Sequence, residues 1–254
     1  MKKVLVFTTL AMNQTRFWLA VAERLLVLGI KPAFISFDDC SSDIIERKAY
    51  PCLRISGISG DSADIDDIKI FEKFASQNPN LYISHERLAF DVSSSEKLIQ
   101  KFSNYFTASS KFLNDLKANG EVFVFQELGG FISVLSTFES AQSLGIDNYF
   151  VEPSFFKGRQ FFIKNSLASK QIIEGKVTSV SKNNVKEVLA SILSKKSIVV
   201  PDKDKHHYSS AISKIFSLRN LTRFFQKLIA QYFFKKHFEF GHPIKHALSH
   251  IQMF

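Results

Sequence analysis

Apolar residues recur along this chain in short continuous runs, and these runs alternate with stretches of helical period. Lys3 to Thr8 reads as a buried strand, Thr15 to Leu28 as an amphipathic helix closed by Gly29, and Ala33 to Phe37 as a second strand. Tyr50 to Ile55 is a candidate third strand. The segment DSADIDDIKIFEKFASQNPN then begins with acids, suiting a helix N-terminus, and ends at Asn78-Pro79. Ser94 to Ala118 predicts a long helix, Val122 to Phe125 a strand, Gly130 to Leu144 a helix stopped by Gly145, and Asn148 to Val151 another strand. Strands alternating with helices at this spacing imply an α/β fold with a Rossmann-like, mostly parallel sheet and flanking helices.

Beyond Ser154 the pattern loosens. It gives a short strand near Val177 to Val180, a helix from Asn183 to Ser194, the short strand SIVVP, and helix again from Ile212 towards Phe240. Ile215, Leu218, Leu221, Phe225, Leu228 and Tyr232 fall at steps of three or four and mark one face, with Arg223 and Lys227 off it. The expected organisation is therefore a domain over residues 1–200 and a basic, aromatic helical segment over 201–254.

Charge sharpens this division. The chain of 254 residues carries a formal +9, and from Asp202 onward nine Lys or Arg stand against three acids. An excess of +6 in the tail points to an anionic partner. No apolar run reaches the roughly 18 residues of a spanning helix, so membrane contact would be peripheral. The opening MKKVLVFTTLAM has lysines and an apolar run but no A-x-A-like cleavage site, and reads as the first strand. Two cysteines without metal-ligand spacing suit a reducing, cytoplasmic setting. No helix-turn-helix, zinc or RNA-binding signature accompanies the basic tail, which argues against nucleic acid. His242, His246 and His250 share an i, i+4 face without an acid motif, and an interfacial helix explains them better than a metal; no metal site is expected. The 27 phenylalanines suit a core, a sugar-stacking surface or a membrane face equally.

In a parallel sheet, ligands gather at the carboxyl ends of the strands. The run VFVFQELGGFISVL places Gln126 and Glu127 there, and Gly129 and Gly130 permit close approach at the start of the next helix. The next strand ends in Glu152-Pro153 and is followed by Lys157, Arg159, Lys164 and Asn165. Two carboxylates and three cations are thus expected to converge, Glu127 and Glu152 facing one cleft with Arg159. The structural alternative is that Glu127 merely favours a helix N-terminus and Glu152 pairs with Arg159. Asn13-Gln14-Thr15-Arg16, filling the first strand-helix loop, and His85, Glu86 and Arg87, in SHERLAF, are further polar candidates, each more often a helix cap or solvated loop than a site.

QELGGFISVL, then YFVEPSFFKGRQFFIKNSLAS, then VVPDKDKHHY together resemble the capsule polysaccharide biosynthesis proteins of Gram-negative bacteria, in the branch similar to Kdo transferases. The resemblance covers residues 120–250 in motif and the N-terminal units in pattern. It implies a glycosyltransferase of GT-B-like build, transferring a sugar from a nucleotide donor such as CMP-Kdo to a glycan or glycolipid acceptor, with no further cofactor. Glu127 matches the family's acceptor-side carboxylate and would act as base. Asp202 or Glu152 would serve if a retaining route needed a second carboxylate. His242-Pro243 is a His-Pro pair like the one that holds the cytidine nucleotide, but no strand delivers it. The expectation is therefore that this chain is the N-terminal half of a longer enzyme lying against the inner membrane. A non-catalytic scaffold of a polysaccharide assembly complex is the alternative.

Overall fold

Continuous apolar strands need cover on both faces, and the computed structural model supplies it with helices on either side of one sheet. It describes residues 2–55, 65–76, 78–90, 92–153, 160–168, 179–195, 218–240 and 244. Among these residues the strands are β1 (Lys3–Thr9), β2 (Lys31–Ser36), β3 (Cys52–Arg54), β4 (Glu121–Gln126), β5 (Asp147–Pro153) and β6 (Gln160–Lys164). The helices are α1 (Met12–Val27), α2 (Asp39–Arg47), α3 (Ile65–Ala75), α4 (Pro79–Phe90), α5 (Ser95–Lys117), α6 (Ile132–Ser143), α7 (Ser179–Lys195) and α8 (Leu218–Tyr232). The sheet order is β3-β2-β1-β4-β5-β6. The first five strands are parallel, as the alternation predicts, and β6 is antiparallel to β5.

The pleat sorts side chains between two cores. Val4, Val6, Ala33, Ile35, Val122 and Val124 face the layer of α3 to α6, while Phe7 and Phe34 face Trp18, Leu19, Ala22 and Ile45 of α1 and α2. The phenylalanine excess goes partly into the first core, where Phe71, Phe74, Phe102 and Phe106 pack ring on ring. On the other face Phe7 stacks on Trp18 with ring centroids 4.7 Å apart. Between α5 and α6 small residues permit close packing: Ser133, Ser136, Thr137 and Ser140 are all fully buried. The Thr137 hydroxyl donates to Ser133 O (2.9 Å) and Ser140 to both Ser136 O (2.8 Å) and Phe106 O (3.0 Å).

Several expectations change. Asn13 to Arg16 form the first turn of α1, not a loop. Asn78-Pro79 opens α4 as well as closing α3, because a proline is well placed in a first helical turn; SHERLAF is therefore helical. The sequence reading passes over α2, whose N-cap Asp38 accepts from Ser41 N at 2.8 Å. Ser179 and Val180, expected in a strand, open α7; SIVVP lies outside the described residues.

The largest change is in the tail. Helix α8 ends at Tyr232, the chain turns at Lys235 with φ 49°, and residues 236–240 return to the body as a strap. Lys236 Nζ meets Asp43 Oδ2 at 2.9 Å, His237 N donates to Asp39 Oδ2 at 2.7 Å, and Asp39 N donates to His237 O at 3.1 Å. Phe240 packs edge-on against Phe131, centroids 5.2 Å apart. The strap thus runs from the carboxyl end of β2 to that of β4.

Candidate functional site

The sheet order reverses between β1 and β4, so the chain leaves these neighbours in opposite directions and opens a crevice at their carboxyl ends. Gln14, in the first turn of α1, spans it. Its side-chain oxygen accepts from Leu10 N at 2.7 Å, which fixes the amide, and its Nε2 donates to Glu127 Oε2 at 2.9 Å. Glu127 is exposed, and Gln14 is its one hydrogen-bond partner among the described residues. Glu152, near the end of β5, accepts from Leu128 N at 3.0 Å and so holds the backbone just past Glu127. The two carboxylates lie at the carboxyl ends of neighbouring parallel strands, one oriented by α1 and the other engaged with the loop. On the α1 side of the sheet, Phe125 stacks on Tyr149 (5.1 Å, 16°) and meets Phe162 edge-on (6.4 Å), an aromatic strip leading up to Glu127.

Other candidates take different places. Gln126 is fully buried and donates to Asn148 Oδ1 at 2.8 Å, tying β4 to β5. Gly130 makes room for protein, not ligand: a Cβ there would lie 3.0 Å from His85 Nδ1, and the His85 ring packs edge-on against Phe131. At Gly129 a Cβ would meet Val134 at 3.8 Å and Phe131 at 4.0 Å, both ordinary contacts. Lys164 and Asn165 lie at the opposite end of the sheet. Because β6 runs antiparallel, it carries them back to the amino end of β5, where Lys164 pairs with Asp147 (2.7 Å) and Asn165 Oδ1 accepts from Asn148 N (2.7 Å). Asn13 is exposed in the first turn of α1, and Arg87 donates to the Ser95 hydroxyl. Lys157, Arg159 and Asp202 lie outside the described residues, as do the tail histidines other than His237.

Glu86 has the most consequential position. Only 2% exposed, its Oε1 accepts from Ile132 N at 2.9 Å, so the positive end of α6 is met by the protein's own carboxylate. Its Oε2 takes Lys101 Nζ at 2.9 Å, and Lys101 also reaches Glu239 Oε1 at 3.0 Å. Tyr105 donates to Glu239 Oε2 at 3.1 Å. The sequence does not single out Lys101, Tyr105 or Glu239; Gln14 stands out there only as one member of the polar stretch Asn13 to Arg16. Lys101 and Glu239 stand 138 positions apart, and no local pattern joins them.

Electrostatics in this cluster follow from two acids sharing one ammonium. Burial lowers the Lys101 pKa, but Glu239 and Glu86 together outweigh it and the net shift is upward. Burial raises the Glu239 carboxyl; Lys101 opposes and Glu86 adds to the rise. Between its unfolded pKa of about 4.3 and its higher native pKa, native Glu239 holds a proton that the unfolded chain has released. Wild-type stability therefore falls as pH rises through that window. Glu239→Gln mimics the protonated form and should lack this fall, gaining on wild type as pH rises above about 4 in urea denaturation. A difference that stays constant with pH would show that Glu239 is ionised throughout.

The fold and crevice define a Rossmann-like α/β domain with a carboxylate oriented at its topological switch point. No family model matches the chain, and no curated protein matches it. Among solved structures it is similar to MurG of Acinetobacter baumannii, at 15% identity and a TM-score of 0.37, over 58% of this chain and 34% of that one. The chain thus spans about a third of that protein, and a likeness this loose decides nothing about activity. Among the described residues no three His, Cys, Asp or Glu side chains gather as a metal would require, and no helix is long and apolar enough to cross a membrane.

Proposed function

We propose that this chain is the acceptor-side, Rossmann-like unit of a GT-B-like glycosyltransferase of capsule or lipopolysaccharide biosynthesis. The observation that carries the proposal is the Leu10–Gln14–Glu127 relay, which aims an exposed carboxylate into the switch-point crevice. The likeness of the segments around Glu127 and Glu152 to the Kdo-transferase branch supports the same reading. A sugar hydroxyl is a poor nucleophile at neutral pH and needs a base beside it. In the proposed reaction the acceptor oxygen attacks the donor's anomeric carbon, and the bond from that carbon to the nucleotide phosphate breaks. Glu127 takes the hydroxyl proton, and the nucleotide leaves as the phosphate. The aromatic strip of Phe125, Tyr149 and Phe162 offers an apolar face to a sugar ring. A second Rossmann-like unit, which the resemblance implies, would hold the donor.

One observation favours the alternative of a non-catalytic scaffold: Glu86 already occupies the α6 N-terminus, where a donor phosphate would otherwise gain most. Labelled CMP-Kdo and other nucleotide sugars, each offered with and without a lipopolysaccharide-type glycolipid, separate the readings. Transfer to the glycolipid, or slow donor hydrolysis without it, is expected of the complete enzyme in which this chain is joined by its donor-binding unit; the chain alone should bind acceptor without turnover. Glycan binding with neither activity in the complete enzyme would leave the scaffold.

A further inference from the structure

The sequence expects one apolar face on the tail helix, and the structure divides it. Leu221, Phe224 and Leu228 are half-buried, whereas Leu218, Phe225, Ile229 and Tyr232 form a separate exposed stripe. Phe233 and Phe234 extend this stripe at the turn, 81% and 67% exposed. Three neighbouring aromatic rings in water at a helix end call for an occupant. The charges say which kind. From Lys205 to Phe238 there is no Asp or Glu; Arg223 and Lys227 are exposed on the polar side of the helix, away from the stripe, with Lys227 Nζ 5.6 Å from the Phe238 ring centroid, and Lys235 is exposed next to the Phe233-Phe234 turn. An apolar stripe backed by a basic, acid-free polar side is the pattern of a helix lying in an anionic lipid interface. A second copy docked through the same helix would bring two basic, acid-free segments together, a like-charge approach.

We propose that α8 and its Phe233-Phe234 turn are a docking face for an anionic phospholipid bilayer, the apolar stripe entering the headgroup boundary and the basic residues attracted to lipid phosphates. The strap gives this contact a direction. Lys236 and His237 are fixed to Asp43 and Asp39 past β2, and Phe240 to Phe131 past β4, so the docking helix is tied to the same strand ends that carry Glu127. Lipid docking sets that crevice beside the membrane surface. Its use for a lipid-linked acceptor rests on the function proposed above; the docking does not.

Sedimentation with vesicles tests the docking without donor or acceptor. The intact chain should pellet with phosphatidylcholine vesicles containing about one-third phosphatidylglycerol, weaken as salt rises, and stay in solution with phosphatidylcholine alone. At about fivefold per cation, the triple variant Arg223→Gln, Lys227→Gln, Lys235→Gln should lose on the order of a hundredfold in partitioning. Phe233→Ser with Phe234→Ser should lose binding at every salt concentration. These positions are exposed, so unchanged circular dichroism and melting are expected and separate lost docking from lost folding. An intact chain that ignores anionic vesicles, variants that bind as wild type, or burial of the stripe in a dimer or an acidic protein complex would each overturn the proposal.

Discussion

Lys101→Met is expected to destabilise the protein by about 3 kcal/mol, the low end of the range for breaking a buried ion pair. The low end applies because the Lys101 side chain keeps 22% of its exposure, while Glu86 and Glu239 keep almost none. Removing the ammonium leaves two buried carboxylates facing each other, and their repulsion adds to the lost attraction. For a chain of this size the melting temperature should fall by roughly 6–12 °C. Adding Glu239→Gln to Lys101→Met should restore part of the loss, since Glu86 would then be the one remaining charge and keeps its bond from Ile132 N. That non-additivity, measured as a double-mutant cycle, identifies the cluster as one unit. A Lys101→Met variant within about 1 kcal/mol of wild type would mean that water already screens the pair.

What could be read from sequence divides along a physical line. The parallel strands and the connecting helices other than α2 and α4 were legible because a buried strand or an amphipathic helix writes its period into adjacent residues, as Lys3–Thr9 and Ser95–Lys117 do. The reading failed where the determinant is not local. Whether a strand pairs parallel or antiparallel is absent from its own composition, so QFFIK gave no sign that β6 would carry Lys164 and Asn165 away from Glu127. Gly130 signalled close approach, but the sequence could not say that His85 is what approaches. The tail was read as one helix because its apolar period continues to Tyr232. The strap beyond depends on partners near positions 39, 43, 101 and 131. The place of Glu127 just past a strand end was legible because a carboxylate between a strand and a glycine pair is a local pattern. Its orienting partner Gln14, 113 positions earlier, was not.

In the complete enzyme, Glu127→Gln is expected to lower sugar transfer by a hundredfold to ten-thousandfold, the usual worth of general-base assistance. The replacement is close in size and can still meet Gln14, and the position is exposed, so stability should stay within about 0.5 kcal/mol. The loss should therefore fall in kcat, with acceptor KM little changed, because an amide keeps the shape but cannot accept the hydroxyl proton. Gln14→Leu supplies the intermediate case, since it keeps the carboxylate but removes the hydrogen bond that aims it. Its transfer rate should lie between those of wild type and Glu127→Gln. If Glu127→Gln turns over like wild type, the carboxylate is a structural partner of α1, and the base must be sought at Glu152 or Asp202.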